Sequence, residues 1–215
     1  MKILAIEFSS ERRSVAVLEG VKLRGAACQS AGQSTRAFAL IEQALHEAGV
    51  EREAVDCLAV GLGPGSYAGI RSAIAVAQGW QIARHVSLLG LCSVEALAVQ
   101  AQEKGLHGRL HFLVDAQRNE CYAATYEINV GTIQLVTPLR LLTAAQAATL
   151  WQDGRAVVGP ELLARYPHAE VLLPDAAALG RLAANRTDFV SGDALEPIYL
   201  RETAFVKALP PRNRG

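Results

Sequence analysis

One pattern occurs twice in this chain of 215 residues: an apolar strand ending in an acidic residue, then a polar turn and a second apolar strand. The first copy is ILAIEFSSERRSVAVLEG, in which the acid is Glu7. The second copy is HFLVDAQRNECYAATYEI, in which the acid is Asp115. A continuous apolar run is typical of a strand that is buried on both faces. An internal repeat of this kind predicts two related lobes.

Strands and helices alternate around the two copies, which predicts an α/β chain. Apolar residues at helical spacing predict helices over 34–48, 70–84 and 93–103. We expect a first lobe over 1–104, a smaller second lobe over 105–200 and a C-terminal tail over 201–215. Two lobes of this kind, each a mixed sheet with helices, make up the actin-like or ribonuclease H-like fold.

The charge balance limits what the chain can bind on its own. Its 21 basic and 21 acidic residues cancel, which argues against a protein that holds nucleic acid by its bulk charge. The four cysteines are scattered, with no pair spaced for zinc or for a secreted disulfide framework. The N-terminal apolar run is too short for a signal peptide, and charges interrupt every longer one. These features predict a cytoplasmic protein without a membrane span.

The most informative local motif is the glycine-rich segment GLGPGSYAGIR between a strand and a helix. Its centre is formed by Gly63, Pro64, Gly65 and Ser66. One interpretation is a phosphate loop, because amides at a helix N-terminus can hold an anion. The other is a tight turn that packs the helix closely on its strand. The segment matches neither the Walker A pattern nor the dinucleotide-binding glycine pattern.

Four segments, in order along the chain, resemble one family. GLGPGSYAGIRSAIAVAQGWQIA is similar to the GPGSFTGLR loop and helix of TsaB proteins, also called YeaZ, and ILAIEFSS resembles their ILAIDTS strand. VDAQRNECYAATY resembles their (I/V)DARRGEVY segment, and EPIYLRETAF resembles their EPVYLR ending. The chain is thus identified as a member of the TsaB family, which belongs to the actin-like superfamily and is related to M22-type peptidases. The resemblance implies a role in placing threonylcarbamoyl on an adenosine of tRNA.

Several positions depart from the family pattern. The family usually has Asp at the position of Glu7, Thr at the positions of Ser9 and Ala68, and a His-Ser or His-Thr pair where Gln33 and Ser34 stand. Such changes would disturb a tuned catalytic site and would be harmless in a scaffold. The effects of Glu7 and Gln33 stay open at this point.

The family's catalytic homologue, TsaD, carries a metal in a helical His-x-x-x-His motif. The resemblance aligns that motif with residues 93–97, so Ser93 and Leu97 take the two ligand positions. A leucine cannot bind a metal, and a serine is a poor ligand for a transition metal. We therefore expect no metal and a non-catalytic subunit. No cofactor is predicted for the chain itself, and whether ATP or ADP binds at a partner interface stays open.

The helices over 34–48 and 69–84 have unusually wide apolar faces. One interpretation is that both pack only within their own lobe; the family resemblance implies that they pair with a TsaD-type homologue, or with a second copy when that partner is absent. A TsaE-type ATPase would complete the set, and tRNA would be contacted only through the complex. The predicted interface comprises Ser34, Phe38, Ile41, Leu45, Gly69, Arg71, Ile74, Ala75, Gln78 and Ile82.

A rival hypothesis makes the chain an enzyme in its own right. Glu7 and Asp115 could face each other across a cleft and hold magnesium, as carboxylates do in actin-like ATPases and phosphotransferases. A glycoprotease activity of the M22 type is a related alternative. Against these, no second glycine-rich loop follows Asp115. Asp115 could instead pair with Arg118 or with a neighbouring backbone amide.

Overall fold

The computed structural model of the chain describes residues 1–30, 36–150, 156–160 and 169–201. Ser34 and Gln33 of the sequence predictions, and the tail beyond Arg201, lie outside the described residues. Among the helices of the described part, none has both the length and the apolar character that a membrane crossing requires.

The first sheet has five strands in the order β3-β2-β1-β4-β5. The strands β1, β2 and β3 form an antiparallel meander, and β4 and β5 run parallel to β1. Residues Ile3 to Ile6 are fully buried, which confirms the prediction of a strand covered on both faces. The strands are β1 (Lys2–Glu7), β2 (Arg12–Glu19), β3 (Lys22–Ser30), β4 (Cys57–Gly61) and β5 (Ser87–Leu91).

Three helices follow these strands: α1 (Ala37–Ala48), α2 (Tyr67–Arg84) and α3 (Ser93–Glu103). α1 and α2 cover one face of the sheet, because Leu4, Ile6 and Val17 pack in one cluster with residues of both helices. α2 begins three residues before the predicted Ile70, since the Ser66 hydroxyl accepts the amide of Gly69 and caps the helix. We call this sheet with the helices on it the first lobe.

The second sheet repeats the topology of the first, with the order β10-β9-β6-β7-β8. β6, β7 and β8 form an antiparallel meander, and β9 lies parallel to β6 on its other side. This shared topology confirms the predicted pair of related lobes. The strands are β6 (Gly108–Gln117), β7 (Glu120–Asn129), β8 (Thr132–Thr143), β9 (Val157–Gly159) and β10 (Glu170–Val171). We call this sheet, with the short helix α4 (Ala144–Ala148), the second lobe.

The end of the described chain differs from the predicted division at residue 105. α5 (Ala176–Ala183), which the sequence analysis assigned to the second lobe, packs on the first sheet beside Ile3 and Leu18. Val190 then pairs with Leu88 of β5. The physical reason is that the first sheet has a second apolar face, and α3 alone does not cover it. The helical pattern of α5 was visible in the sequence, but not the sheet that it would cover.

α3 lies between the two sheets. Val94, Leu97 and Ala101 pack with residues of the second sheet such as Phe112. Ala96, on the other side of the helix, packs in the cluster of the first sheet. Apolar side chains of α3 therefore pack against the sheets of both lobes.

Two glycines allow a matched test of this packing. A Cβ on Gly25 of β3 would lie 2.5 Å from the Ala44 carbonyl oxygen of α1, whereas one on Gly79 of α2 meets nothing within 4 Å. We expect Gly25→Ala to destabilise the protein by about 1–3 kcal/mol, because a backbone must move. Gly79→Ala should stabilise it by about 0.5–1 kcal/mol through helix propensity. Urea unfolding measures both, and equal effects would contradict the packing of β3 on α1.

Candidate functional site

The glycine-rich loop between β4 and α2 packs directly on the turn between β1 and β2. The amide of Ser66 donates to the carbonyl oxygen of Ser9 at 2.6 Å. A Cβ on Gly65 would lie 2.0 Å from the same oxygen, so only glycine allows this approach. The peptide between Gly63 and Pro64 is cis. These are the contacts of a tight turn, and the Ser66 amide is already occupied by the protein itself.

Glu7 is fully buried at the end of β1 and holds three segments together. Its carboxylate accepts the amide of Ser9 at 2.8 Å and the hydroxyl of Ser93 at 2.7 Å. Ser93, the first residue of α3, in turn accepts the amide of Gly63 at 3.2 Å. Burial raises the pKa of Glu7, and the hydrogen bonds from Ser9 and Ser93 oppose this rise. The network therefore joins β1, α3 and the glycine-rich loop.

A cleft of about 560 Å³ separates the two lobes. Ser10, Glu11 and Tyr67 line it on the first lobe, and Asp115 and Tyr122 on the second. Glu7 is not among the lining residues, because its side chain turns into its own lobe toward Ser93. The prediction that Glu7 and Asp115 face each other across the cleft is therefore wrong.

Asp115 lies at the exposed end of β6. Its Oδ1 accepts the amide of Gln117 at 3.0 Å, so the alternative prediction of a bond to a neighbouring backbone amide is confirmed. Among the described residues, no group of three or more His, Cys, Asp or Glu side chains is placed to hold a metal.

Arg13 is a residue of this region that the sequence analysis missed. Its Nη2 donates to the Ser66 hydroxyl at 2.9 Å, and its guanidinium lies 6.0 Å from the centre of the Phe8 ring. A Cβ on Gly69 would lie 1.6 Å from Arg13 Nη1, so the glycine leaves the space that the arginine fills. Desolvation lowers the pKa of Arg13. The available signal in the sequence was the combination of an arginine at the start of β2 and a glycine in the first turn of α2.

Ser93 and Leu97, the positions aligned with metal ligands, both have structural roles. The Ser93 hydroxyl is engaged by Glu7 and by the Gly63 amide. Leu97 is fully buried and packs between α3 and the second sheet. Both side chains are therefore used for packing and hydrogen bonding within the chain.

The described parts of α1 and α2 enclose a shallow groove on the outer face of the first lobe. Phe38 lines the groove with 65% of its surface exposed, and Ile82, 81% exposed, precedes the groove residue Ala83 on α2. Ala75, Gly79 and Ala83 recur every four residues along α2 and form its small-residue side. We call this the α1–α2 groove; its described lining residues are Arg36, Ala37, Phe38, Ala39, Ile41, Arg52, Glu53, Ser72, Ala75, Val76, Gly79, Trp80, Ala83 and Arg84.

Only part of the predicted interface lies on this surface. Phe38 and Ala75 line the groove, and Arg71 and Ile82 are exposed on α2 without being among its lining residues. Leu45 and Ile74 are buried in the core of the first lobe, and Ile41, also a core residue, reaches the groove with only 1% of its surface exposed.

Two further predicted residues are occupied within the chain. Gly69 is covered by Arg13, and Gln78 donates to the carbonyl oxygen of Gly192 at 2.8 Å. The wide apolar stripes of the helices did not reveal which residues the sheet covers. Gly79, Trp80 and Ala83 lie in the groove and were missed.

Two sheets of equal topology around a cleft, with helices on their faces, define an actin-like α/β protein. The sequence model of the family described as "TsaD: tRNA N6-adenosine threonylcarbamoyltransferase" matches residues 9–191. The chain is 27% identical to the tRNA threonylcarbamoyladenosine biosynthesis protein TsaB of Escherichia coli (strain K12), over 98% of this chain and 99% of that protein. It is 25% identical to the protein of the same name from Haemophilus influenzae, over 99% of this chain and 98% of the relative.

A solved structure of a protein named YeaZ has the same fold as this chain. YeaZ from Pseudomonas aeruginosa superposes with a TM-score of 0.80 at 27% identity, covering 93% of this chain and 99% of that chain. The chain therefore belongs to the family of the matching sequence model, and the predicted resemblance to TsaB proteins is confirmed.

Glu7 provides a test of the buried network. Because burial raises its folded-state pKa above the ordinary value of 4.5, the folded protein loses stability as the pH rises from 4.5 through that folded pKa. Glu7→Gln is neutral at every pH, so its stability relative to the natural chain should increase over this window, by about 1.4 kcal/mol for each unit of the pKa shift. Urea unfolding over a pH series measures the difference.

Glu42→Gln, at an exposed position of α1, is the control for removing a carboxylate. Its unfolding free energy should follow the natural chain across the same pH series. Parallel pH profiles for Glu7→Gln and the natural chain would show that the Glu7 carboxyl is not desolvated.

Proposed function

We propose that this chain is a non-catalytic subunit in the biosynthesis of N6-threonylcarbamoyladenosine in tRNA. It docks through the α1–α2 groove onto a TsaD-type homologue and stabilises the competent form of that enzyme. The partner then transfers threonylcarbamoyl from its adenylate to the exocyclic nitrogen of an adenosine beside the anticodon. A TsaE-type ATPase completes the set, and tRNA is contacted through the complex in the cytoplasm. In the absence of the TsaD-type partner the same groove joins two copies of this chain.

The observation that carries the proposal is the α1–α2 groove. Phe38, 65% exposed, lies in the groove beside the small residues Ala75, Gly79 and Ala83, and Ile82 of the same helix α2 is 81% exposed. Small residues let a second helix approach closely, and exposed apolar side chains beside them gain from burial by about 25 cal/mol per Å². The surface is therefore shaped for a helix of another protein.

The inner region supports the non-catalytic part of the proposal. Glu7, at the strand end where actin-like enzymes place a catalytic carboxylate, is buried and bonded to Ser9 and Ser93. The Ser66 amide in the glycine-rich loop donates to Ser9. Groups that could act on a substrate are thus used to hold the loop and α3 in place.

Charge placed in the groove should abolish docking. Ala75→Glu and Ile82→Glu put a carboxylate on exposed positions that the partner would cover, so we expect each to weaken binding to the TsaD-type homologue about tenfold or more. The fold should survive, because neither position lies in the core. Co-purification and calorimetry measure the loss.

Val130→Glu is the matched control, because Val130 is 85% exposed and lies between β7 and β8 of the second lobe, outside the α1–α2 groove. It should bind like the natural chain. Ile74→Glu is not a suitable probe, because Ile74 is only 6% exposed and its substitution would disrupt the core. Unchanged co-purification of both groove variants would defeat the docking proposal.

Depletion of this protein from its cell should remove threonylcarbamoyladenosine from tRNA. Mass spectrometry of tRNA nucleosides measures the change. Re-expression of the natural chain or of Val130→Glu should restore the nucleoside, and Ile82→Glu should not. Persistence of the modified nucleoside after depletion would favour the rival hypothesis of an independent ATPase, phosphotransferase or glycoprotease.

A further inference from the structure

The residues after α5 cross from the first lobe to the second at the mouth of the cleft. Leu195 is 4% exposed and belongs to the core of the first lobe. The amide of Ile198 donates to the carbonyl oxygen of Leu62, at the end of β4, at 2.9 Å. Three residues later, Arg201 Nη2 donates to the carbonyl oxygen of Ala116 in the second lobe at 3.0 Å. We call residues 195–201 the strap.

The middle of the strap touches both walls of the cleft. The Tyr199 ring stacks on Tyr67 of α2, with the ring centres 5.7 Å apart and the planes inclined by 23°. The guanidinium of Arg71 covers Tyr67 at 4.1 Å from its ring centre. On the other side, the backbone of Leu200 lies beside Tyr122, which lines the cleft from the second lobe.

The end of the strap is held by polar contacts. Arg201 pairs with Glu120 and also donates to the carbonyl oxygen of Gln117 at 3.4 Å. Residues 117–119 form the turn between β6 and β7, and all three have positive φ angles. The side chains of Arg201 and Glu120 are 34% and 31% exposed, so water can compete for them. The first-lobe end, in contrast, is anchored by a buried leucine.

α3 and the strap connect the two lobes in different ways. α3 joins them through continuous apolar packing, which tolerates small rotations of packed elements more readily than separation. The strap joins them on the side of the cleft through an aromatic stack and an arginine that binds carbonyl and carboxylate oxygens. In this arrangement α3 can act as a hinge between the lobes, and the strap can act as a releasable connection across the cleft.

We propose that the strap is a latch that sets the width of the interlobe cleft, with Arg201 as its releasable end. When Arg201 leaves the β6–β7 turn, the second lobe rotates about α3 and the cleft widens. When Arg201 is bound to this turn, the distance between the two cleft walls stays fixed.

A distance measurement across the cleft tests the latch. Spin labels on Glu11→Cys in the first lobe and Arg118→Cys in the second, both at exposed positions, report the separation of the walls by pulsed electron resonance. The exposed Cys28 is replaced by Ser; Cys57 and Cys121 are buried, and burial raises the pKa of Cys92 to about 11, which slows its labelling. We expect a narrow distance distribution in this parent protein.

Arg201→Ala and Tyr199→Ala should each shift the distribution to longer distances and broaden it. Arg181→Ala is the matched control, because it breaks a pair of similar exposure with Glu103 that joins α5 to α3 and does not cross the cleft. Its distribution should equal that of the parent. Circular dichroism confirms that each variant is folded, and Arg201→Gln replaces Arg201→Ala if that variant is not.

Distributions identical to the parent in both strap variants would overturn the proposal. An equal shift in Arg181→Ala would also overturn it, because the change would then follow from the loss of any surface ion pair. A shift confined to the strap variants supports the latch, whether or not the α1–α2 groove binds a partner.

Discussion

The arrangement of this protein depends on one helix that is buried on two sides. α3 packs Val94, Leu97 and Ala101 against the second sheet and Ala96 against the first. Since both sheets use it to cover apolar surface, neither lobe can be completed without it. Its first residue, Ser93, also carries the hydrogen bonds to Glu7 and Gly63. The position of α3 thus sets the relation of the lobes, the cleft and the glycine-rich loop.

This constraint explains why polar residues near the cleft act as structural parts. A buried carboxylate such as Glu7 must have hydrogen-bond donors, and Ser9 and Ser93 supply them. Arg13 donates a hydrogen bond to the Ser66 hydroxyl, and its guanidinium fits against α2 because Gly69 has no side chain. Each of these contacts joins elements that are distant in the sequence. The side chains around the loop are therefore engaged in structural contacts within the chain.

The outer face of the first lobe consists of the helix residues that the core does not bury. α1 and α2 use Ile41, Leu45 and Ile74 to cover the sheet, and Phe38 and Ile82 remain outside. Both helices were predictable from the spacing of their apolar residues, and α3 begins and ends where expected. The surface was only partly predictable, because a wide apolar stripe does not show which of its residues face the sheet. Gly79 and Ala83 were overlooked for the same reason, since the pattern does not show which small residues of α2 the sheet leaves uncovered.

The sequence left two interpretations of the glycine-rich loop open, but by itself it determined the repeated strand pattern, the helices of the first lobe and membership of the family. These features are local or depend on motifs whose residues are close together in the chain. Only the tertiary structure decided that Glu7 turns away from the cleft, that α5 covers the first sheet and that Arg201 reaches the β6–β7 turn. The reason is that each of these contacts joins residues far apart in sequence, and the burial of apolar surface selects among partners that a linear pattern leaves equivalent.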